Sequence, residues 1–275
     1  DALAAEVVNG LKAAHDAGYT PATIGIDTWA VDFVLLDADG QRIGDAVAYR
    51  DERTEGVRET LERDYGLTFA EHYARTGIQY QKFNTVYQLM ALKQEHPDQL
   101  AAAKTFLMVP DYLNYLLCGV AANEYTNAST TALVGADSKD WDDALIAMLG
   151  LPRDIFQSVK MAGTVLGHLT PEMQAKVGFD AEVILPATHD TGSAFLAVPA
   201  RDEFAAYLSS GTWSLLGVEN AAAITSADSC VANFTNEGGY EYRYRYLKNI
   251  MGLWMIQSVR RELGEQNGTR PSFPE

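Results

Sequence analysis

The chain has 275 residues, of which 47% are hydrophobic, so it is long enough for about two domains with a sizeable core. Lys and Arg total 21 against 37 Asp and Glu, a formal net charge of −16, which argues against binding to nucleic acid or to an anionic membrane surface. The two cysteines, Cys118 and Cys230, belong to no C-x-x-C pair, which favours a reduced, cytoplasmic location. We expect neither a membrane span, which needs about 20 apolar residues, nor a signal peptide.

The first hundred residues predict a mixture of helices and strands. Apolar residues recur at helical spacing from Leu3 to Ala14, and Gly18 would end that helix. Short apolar runs bounded by turn residues predict strands at 23–28, 31–36 and 43–49. The segment that follows is predicted to be mostly helical over 51–105, with an interruption at 77–84 and with Asn84 as the N-cap of the next helix.

The rest of the chain continues this alternation. Helices are predicted at 112–117, after Trp141 and at 250–263, and a short strand at 183–185. Two further strands, 205–208 and 213–218, flank a turn, and residues 219–247 are predicted to be loop and irregular strand. We place a domain boundary near Val198 and Pro199, dividing residues 1–198 from 199–275.

The strand-to-helix turn at 187–194 is rich in small residues and contains one carboxylate, Asp190. A carboxylate at the end of a strand in an α/β protein lies at the usual place for an active site. There it could accept the proton of an alcohol that attacks a phosphoryl group. The same position also suits a residue that merely caps the following helix. Spacing alone leaves both interpretations open.

A second turn, residues 209–212, consists of hydroxyl residues and glycine. Its backbone amides could hold phosphate oxygens, although an ordinary hairpin turn would have the same composition. Asp27, at the end of a predicted strand, is equally open between function and the capping of nearby amides. The P-loop and dinucleotide-binding glycine motifs are absent, and the five histidines show no metal-ligand spacing, so we predict no metal ligated by the protein.

Eight short runs identify a family. They resemble the FGGY carbohydrate kinases and occur in that family's order along nearly the whole chain: GIDTWAVDF at 25–33, FNTVYQL at 83–89, PDY at 110–112, EYTNA at 124–128, HDT at 189–191, SSGTWSL at 209–215, TNEGG at 235–239 and KNIMGLW at 248–254. Any one run is weak evidence, whereas eight in register are hard to obtain by chance.

The resemblance implies an α/β fold of two actin-like (ribonuclease H-like) domains, the second incomplete, with the active site in the cleft between them. The implied reaction is phosphorylation of the 1-hydroxyl of L-rhamnulose by ATP with Mg²⁺, in L-rhamnose catabolism. Another ketose such as L-fuculose, or a non-catalytic binding role, is the alternative. Asp190 matches the catalytic base; the residues matching sugar contacts are Ala30, His189, Asp190 and Thr191, and those matching nucleotide contacts are Thr212, Asn249 and Gln257.

The chain departs from the family pattern in three ways. The first phosphate loop of the family would lie before Asp1, and its adenine-binding motif would lie after Glu275. We therefore expect this chain to be a piece of a longer protein and to be inactive alone. The third departure is Ala30, which stands where the family has a sugar-contacting glycine, so its methyl group could narrow the sugar site.

Overall fold

The computed structural model describes residues 2–211, 213–250, 252–269 and 272. Thr212, one of the predicted nucleotide contacts, lies outside the described residues. The α-helices, in chain order, are α1 (Ala2–Asp16), α2 (Val57–Tyr65), α3 (Phe69–Thr76), α4 (Thr85–Glu95), α5 (Pro97–Ala102), α6 (Val109–Cys118), α7 (Tyr125–Ala128), α8 (Asp143–Met148), α9 (Pro171–Val177), α10 (Asp190–Leu196), α11 (Ala227–Val231) and α12 (Gly252–Asn267).

The strands form separate sheets. In chain order they are β1 (Thr23–Ile24), β2 (Phe33–Leu36), β3 (Thr105–Met108), β4 (Asn123–Glu124), β5 (Val159–Lys160), β6 (Val165–His168), β7 (Glu182–Ile184), β8 (Tyr207–Ser210), β9 (Ser214–Asn220), β10 (Thr235–Gly238) and β11 (Tyr244–Ile250). One sheet has the order β1-β7-β6, with β1 parallel and β6 antiparallel to β7. A second is antiparallel in the order β10-β11-β9-β8, and β2 with β3 and β4 with β5 form two-stranded sheets.

The helix ends follow signals that can be seen in the sequence. Thr68 caps α3 through a reciprocal capping box with Glu71, and Gly77 ends that helix with φ +70°. Pro at the first position of α9 follows Thr170, whose side chain accepts a hydrogen bond from the Met173 amide. These local choices explain why most predicted helices form where the sequence indicates.

The largest core lies where α4 packs against β3 and the surrounding helices. Leu89, Met90 and Phe106 have no exposed surface, and Tyr87 is 1% exposed. Burial of each such side chain contributes about 1.5–3 kcal/mol. A smaller core around β7 and α9 includes Val183, so β7 is held rigidly just before the turn that carries Asp190.

The strand predicted at 43–49 does not form. Beyond an isolated bridge between Leu36 and Arg42, this segment runs as loop. Its amide at Tyr49 donates instead to the buried carboxylate of Asp32, so a side chain takes the place of a neighbouring strand. The strand predicted at 23–28 is shorter than expected, with Thr23–Ile24 paired and Thr28 forming only a bridge to His189.

The prediction of loop and irregular strand for 219–247 was wrong at 235–238 and 244–247, where the regular strands β10 and β11 lie. β11 pairs with β9 over its full length and with β10 on its other side, so it is a central strand. All four residues of β10 are buried, although its sequence is the polar Thr-Asn-Glu-Gly. Polar composition concealed the strand, since propensity and alternation both favour apolar residues in a buried strand.

Buried hydrogen bonds join β10 and the residue before it to the part of the chain before residue 198. The Asn236 amide donates to the Gly77 carbonyl, and the Gly238 amide donates to the Ser129 hydroxyl at 2.8 Å. Tyr73 donates its hydroxyl to the Phe234 carbonyl at 2.8 Å. Buried polar groups are costly unless they are paired, so these bonds fix the position of β10 closely.

The two cysteines, Cys118 and Cys230, are free thiols. Among the described residues, no helix has both the length and the apolar character that crossing a membrane would require.

We predict that Gly238→Ala destabilises the protein by about 1–3 kcal/mol, because the added methyl would lie 2.6 Å from the buried Tyr125 ring and force repacking. Gly10→Ala is the matched control: no heavy atom lies within 4 Å of its added methyl, and in the middle of α1 the change should stabilise by about 0.5–1 kcal/mol. Thermal and urea unfolding measure both. Equal effects of the two substitutions would contradict the close packing of β10 on α7.

Candidate functional site

The turn after β7 presents Asp190 at the start of α10. The Thr28 amide donates to the Thr188 carbonyl at 3.0 Å, and the Asp190 amide donates back to the Thr28 carbonyl at 2.9 Å. His189 occupies the N-cap position, and Asp190 is the first residue of the helix. The Asp190 Oδ1 accepts from the Thr191 amide at 2.6 Å, so it does satisfy one amide of the first turn. Its side chain is nonetheless 60% exposed, into a cleft.

A buried carboxylate, Glu124, accepts hydrogen bonds from this turn and fixes its position. Its Oε2 accepts from the amide and hydroxyl of Thr188, at 2.9 and 3.1 Å, and from the amide and hydroxyl of Thr126, at 3.0 and 2.5 Å. The Thr126 hydroxyl in turn accepts from the His189 amide. Burial raises the pKa of Glu124, which these hydrogen bonds oppose. One carboxylate thus ties the start of α7 to the residue that precedes His189.

The cleft has a volume of about 360 Å³ and draws its walls from both the early and the late parts of the chain. Five of the residues predicted from the sequence line it: Ala30, His189, Asp190, Thr191 and Asn249. Ser209 and Gly211 of the second small-residue turn also line it. Residues that are distant in sequence therefore meet at one concave surface, as expected of a ligand site.

One wall is a strained turn at Val31. The Asp32 amide donates to the Ala30 carbonyl across a single residue, and Val31 has φ +70°, the pattern of a γ-turn. A β-branched residue rarely adopts this conformation, and such strain costs about 1–3 kcal/mol. The Val31 carbonyl accepts from the Thr85 hydroxyl at 2.7 Å and from Gln88 Nε2 at 3.2 Å, which hold the turn in place. Ala30 is thereby fixed beside the cleft.

The second turn is used largely by its own hairpin. Pairing of β8 with β9 continues to Ser210 and Ser214, and the Gly211 amide donates to the Trp213 carbonyl at 2.8 Å. The Gly211 amide is therefore not available to a phosphate in this conformation. The Trp213 ring packs edge-on against Phe83, with centroids 5.9 Å apart, and this contact joins the hairpin to the opposite wall of the cleft.

Asn84 lies at the N-cap position of α4, as predicted, but its side chain does not cap that helix. Its Oδ1 accepts from the Gln81 amide, and its Nδ2 donates to the Thr130 carbonyl. Gln257 lies on α12, is exposed and is not among the residues that line the cleft. Asp27 is exposed, and its negative charge contributes to raising the pKa of Asp190.

The protonation of the two central residues differs from that of the free side chains. Although its side chain is 60% exposed, the carboxyl of Asp190 loses part of its hydration in the cleft, which raises its pKa, and hydrogen bonds from Thr191 oppose that rise. Burial first, and the charge of Arg245 second, lower the pKa of His189 well below its usual value. His189 is therefore neutral near pH 7, next to a carboxylate that holds a proton more readily than a free aspartate does.

Several buried polar residues of the site were not singled out as site residues from the sequence. Asp32 accepts from Trp29 Nε1 at 2.8 Å and so holds the loop next to Ala30. Glu124, Glu237 and Arg245 surround His189 and the turn beneath it. The available signal was a charged residue within a buried strand, as Arg245 is in β11, but that prediction requires the strand to be recognised first.

The fold and the cleft together define a two-part α/β protein in which a carboxylate, Asp190, follows a strand and faces the cleft. The model of the FGGY family of carbohydrate kinases, N-terminal domain, matches residues 5–197, and that of the C-terminal domain matches residues 206–275. The chain belongs to the FGGY family of carbohydrate kinases, which confirms the family predicted from the eight runs.

Relatives of known name are similar over almost all of the chain. A protein named rhamnulokinase from Oceanobacillus iheyensis is 53% identical over 97% of the chain, and one from Halalkalibacterium halodurans is 56% identical over 95%. These matches span 56% and 55% of the two relatives. The chain therefore spans about half the length of the curated relatives it matches.

Solved structures share the fold at low identity. A ligand-bound xylulose kinase from Lactobacillus acidophilus superposes with a TM-score of 0.81 at 17% identity, covering 92% of this chain and 51% of that one. Plasmodium falciparum glycerol kinase with ADP superposes with a TM-score of 0.81 at 16% identity, covering 95% and 53%. The predicted α/β, actin-like fold class is confirmed.

We predict that Glu124→Ala destabilises the protein by about 2–5 kcal/mol, because the donors at Thr126 and Thr188 lose a shared buried acceptor. Glu124→Gln should cost less, because its amide oxygen can replace Oε2 while its nitrogen takes the place of Oε1, which accepts no hydrogen bond. Urea unfolding at neutral pH measures both. Equal costs for the two variants would show that acceptance by Oε2 is not what holds this turn.

Proposed function

We propose that the whole protein to which this chain belongs is a kinase that transfers the γ-phosphoryl group of ATP to the 1-hydroxyl of L-rhamnulose, within L-rhamnose catabolism. The observation that carries this proposal is Asp190, a carboxylate with a raised pKa that faces a cleft between a neutral His189 and Thr191. The names of the similar proteins from Oceanobacillus iheyensis and Halalkalibacterium halodurans support the choice of sugar.

In this reaction Asp190 is the base. The 1-oxygen of the sugar forms a bond to the γ-phosphorus, the bond from that phosphorus to the β–γ bridging oxygen breaks, and ADP leaves. The hydroxyl proton passes to the Asp190 carboxylate. Thr191 donates to Oδ1 through its amide at 2.6 Å and its hydroxyl at 3.3 Å, so these bonds orient the carboxylate and leave Oδ2 to receive the proton.

The cleft offers a deoxy sugar two kinds of surface. His189, Asp190 and Thr191 provide polar groups for hydroxyls, and the aromatic and aliphatic lining at Trp29, Val31, Ile78, Phe83 and Trp213 provides an apolar surface for a methyl group. Ala30 lies at this wall, held by the γ-turn. We propose that its methyl group is tolerated beside the sugar.

The nucleotide lies on the side of Asn249, Ser209 and Gly211, which line the cleft. Thr212 and Gln257 remain proposed contacts, and Gln257 is exposed on α12. Among the described lining residues there is no lysine or arginine, and the chain carries a net charge of −16. Phosphate charge therefore has to be neutralised by other groups, and Mg²⁺ would supply that neutralisation.

The donors present fit a magnesium ion that travels with ATP. Within the described part of the chain, no three His, Cys, Asp or Glu side chains come together as a metal site. Mg²⁺ typically takes most of its ligands from phosphate and water and only one or two from carboxylates.

We propose that residues 1–198 contribute the sugar side and residues 199–275 part of the nucleotide side of the cleft. The free thiols of Cys118 and Cys230 support a reducing, cytoplasmic location.

ADP release by the whole protein, with ATP, magnesium and a panel of ketoses including L-rhamnulose and L-fuculose, tests the activity. We predict the highest kcat/KM on L-rhamnulose, and a loss of about 100- to 10,000-fold in kcat for Asp190→Asn, because its amide cannot accept the proton. The matched control is Asp16→Asn, an exposed carboxylate on α1, which should keep full activity. Preference for another ketose would move the specificity, and binding without turnover would leave a non-catalytic role.

We predict that activity falls on acidification at a higher pH than a free aspartate, with its pKa of about 3.9, would give. The physical reason is that burial raises the pKa of Asp190, and only its deprotonated form acts as a base. The dependence of kcat/KM on pH measures this, with circular dichroism as the control for folding at each pH. A flat profile down to about pH 4 would contradict the assignment of Asp190 as the base.

A further inference from the structure

An ion pair at the wall of the cleft contacts His189: Glu237 lines the cleft, and Arg245 does not. Arg245 of β11 has no exposed surface, and it lies directly opposite Glu237 of β10 in the register of the two strands. Arg245 Nη1 and Glu237 Oε2 are 3.1 Å apart, although their alignment is not that of a hydrogen bond. Burial of an ion pair costs desolvation energy, so a pair kept beside His189 points to a functional role rather than to stability alone.

The contact fixes which nitrogen of His189 carries the proton. Arg245 Nη2 lies 3.0 Å from His189 Nδ1, and a guanidinium can only donate. His189 Nδ1 is therefore the acceptor, and the neutral ring carries its proton on Nε2. Glu237 Oε2 is also near Nδ1, at 3.5 Å, and would favour the opposite tautomer. The Arg245 contact prevails because it is shorter and has hydrogen-bond geometry.

The proton on Nε2 is placed beside the base. His189 Nε2 is 3.5 Å from Asp190 Oδ1, and both side chains line the cleft. The amide of His189 is fixed from the other side by the Thr126 hydroxyl at 3.3 Å. Arg245 also donates from Nε to the Gly238 carbonyl at 2.9 Å, so its guanidinium has a single orientation.

We propose that Arg245 and Glu237 are positioning residues: they hold His189 as a neutral ring with its proton on Nε2, so that it donates a hydrogen bond to a sugar hydroxyl beside Asp190. This assignment rests on the proposed sugar kinase function and adds a role for two residues outside the sugar-contacting turn. It also explains why the polar strand β10 is buried, since β10 carries Glu237, the carboxylate that pairs with Arg245.

Two measurements on the whole protein test this role. Heteronuclear NMR of the histidine ring nitrogens, with His189 assigned by the signal lost in His189→Gln, reports which nitrogen is protonated. Steady-state kinetics with the preferred ketose report kcat and the KM for the sugar. Arg245→Met alone leaves Glu237 buried without a partner and is expected to destabilise the fold strongly. The main variant is therefore Arg245→Met with Glu237→Leu, which removes both charges.

We expect the wild-type ring at about pH 7 to be protonated on Nε2 and bare on Nδ1. In the double variant we expect a mixture of tautomers and a loss of about tenfold in kcat/KM, the size of one hydrogen bond, mainly through the KM for the sugar. The matched control, Arg243→Met, lies next to β11 without contacting His189 and should change neither measurement.

A wild-type His189 that is protonated on Nδ1 would overturn the proposal. So would a double variant that loses sugar kcat/KM with an unchanged His189 ring, because the pair would then act only on structure. The ring measurement needs no turnover. If the wild-type protein phosphorylates no sugar, the proposed function fails, while the NMR result still decides whether Arg245 sets the tautomer.

Discussion

The Glu124 carboxylate is the interaction on which the arrangement of the cleft depends. It accepts hydrogen bonds from Thr126 at the start of α7 and from Thr188 in the turn between β7 and α10. Below it, Asp111 accepts from the Glu124 amide, and burial together with the charge of Glu124 raises the pKa of Asp111 well above its usual value. A buried acceptor with several donors is rigid, because each lost bond would leave a donor unpaired. The turn that carries Asp190 therefore has a fixed position without any contribution from a ligand.

The second half of the cleft is held by the same kind of interaction rather than by apolar packing. β10 is buried through hydrogen bonds that reach Gly77 and Ser129 in the earlier part of the chain. Arg245 and Glu237 then connect β10 and β11 to His189. Polar contacts of this type are directional, so they specify geometry more narrowly than hydrophobic contacts of equal area. The proposed reaction needs a base and two substrates in a fixed geometry, which such directional contacts favour.

Local sequence signals predicted much of the fold. Helix α3, with its capping box and closing glycine, and the hairpin of β8 and β9 follow from short-range rules. The strand predicted at 43–49 does not form, because the Tyr49 amide donates to the side chain of Asp32 instead of to a neighbouring strand. β11 was not predicted as a regular strand over its full length, because Arg245 and Lys248 interrupt its apolar pattern. In both cases a long-range partner overrode local propensity.

The sequence by itself determined the family, through eight runs in order, and named Ala30, His189, Asp190, Thr191 and Asn249, which the fold brings to one cleft. Only the tertiary structure showed that Asp190 is the first residue of α10, accepts from the Thr191 amide and also faces the cleft. Only the tertiary structure placed Gln257 on an exposed helix face and Arg245 against His189. The reason is that motifs record which residues are present. Protonation, tautomer and strain depend on burial and on partners that lie far away along the chain.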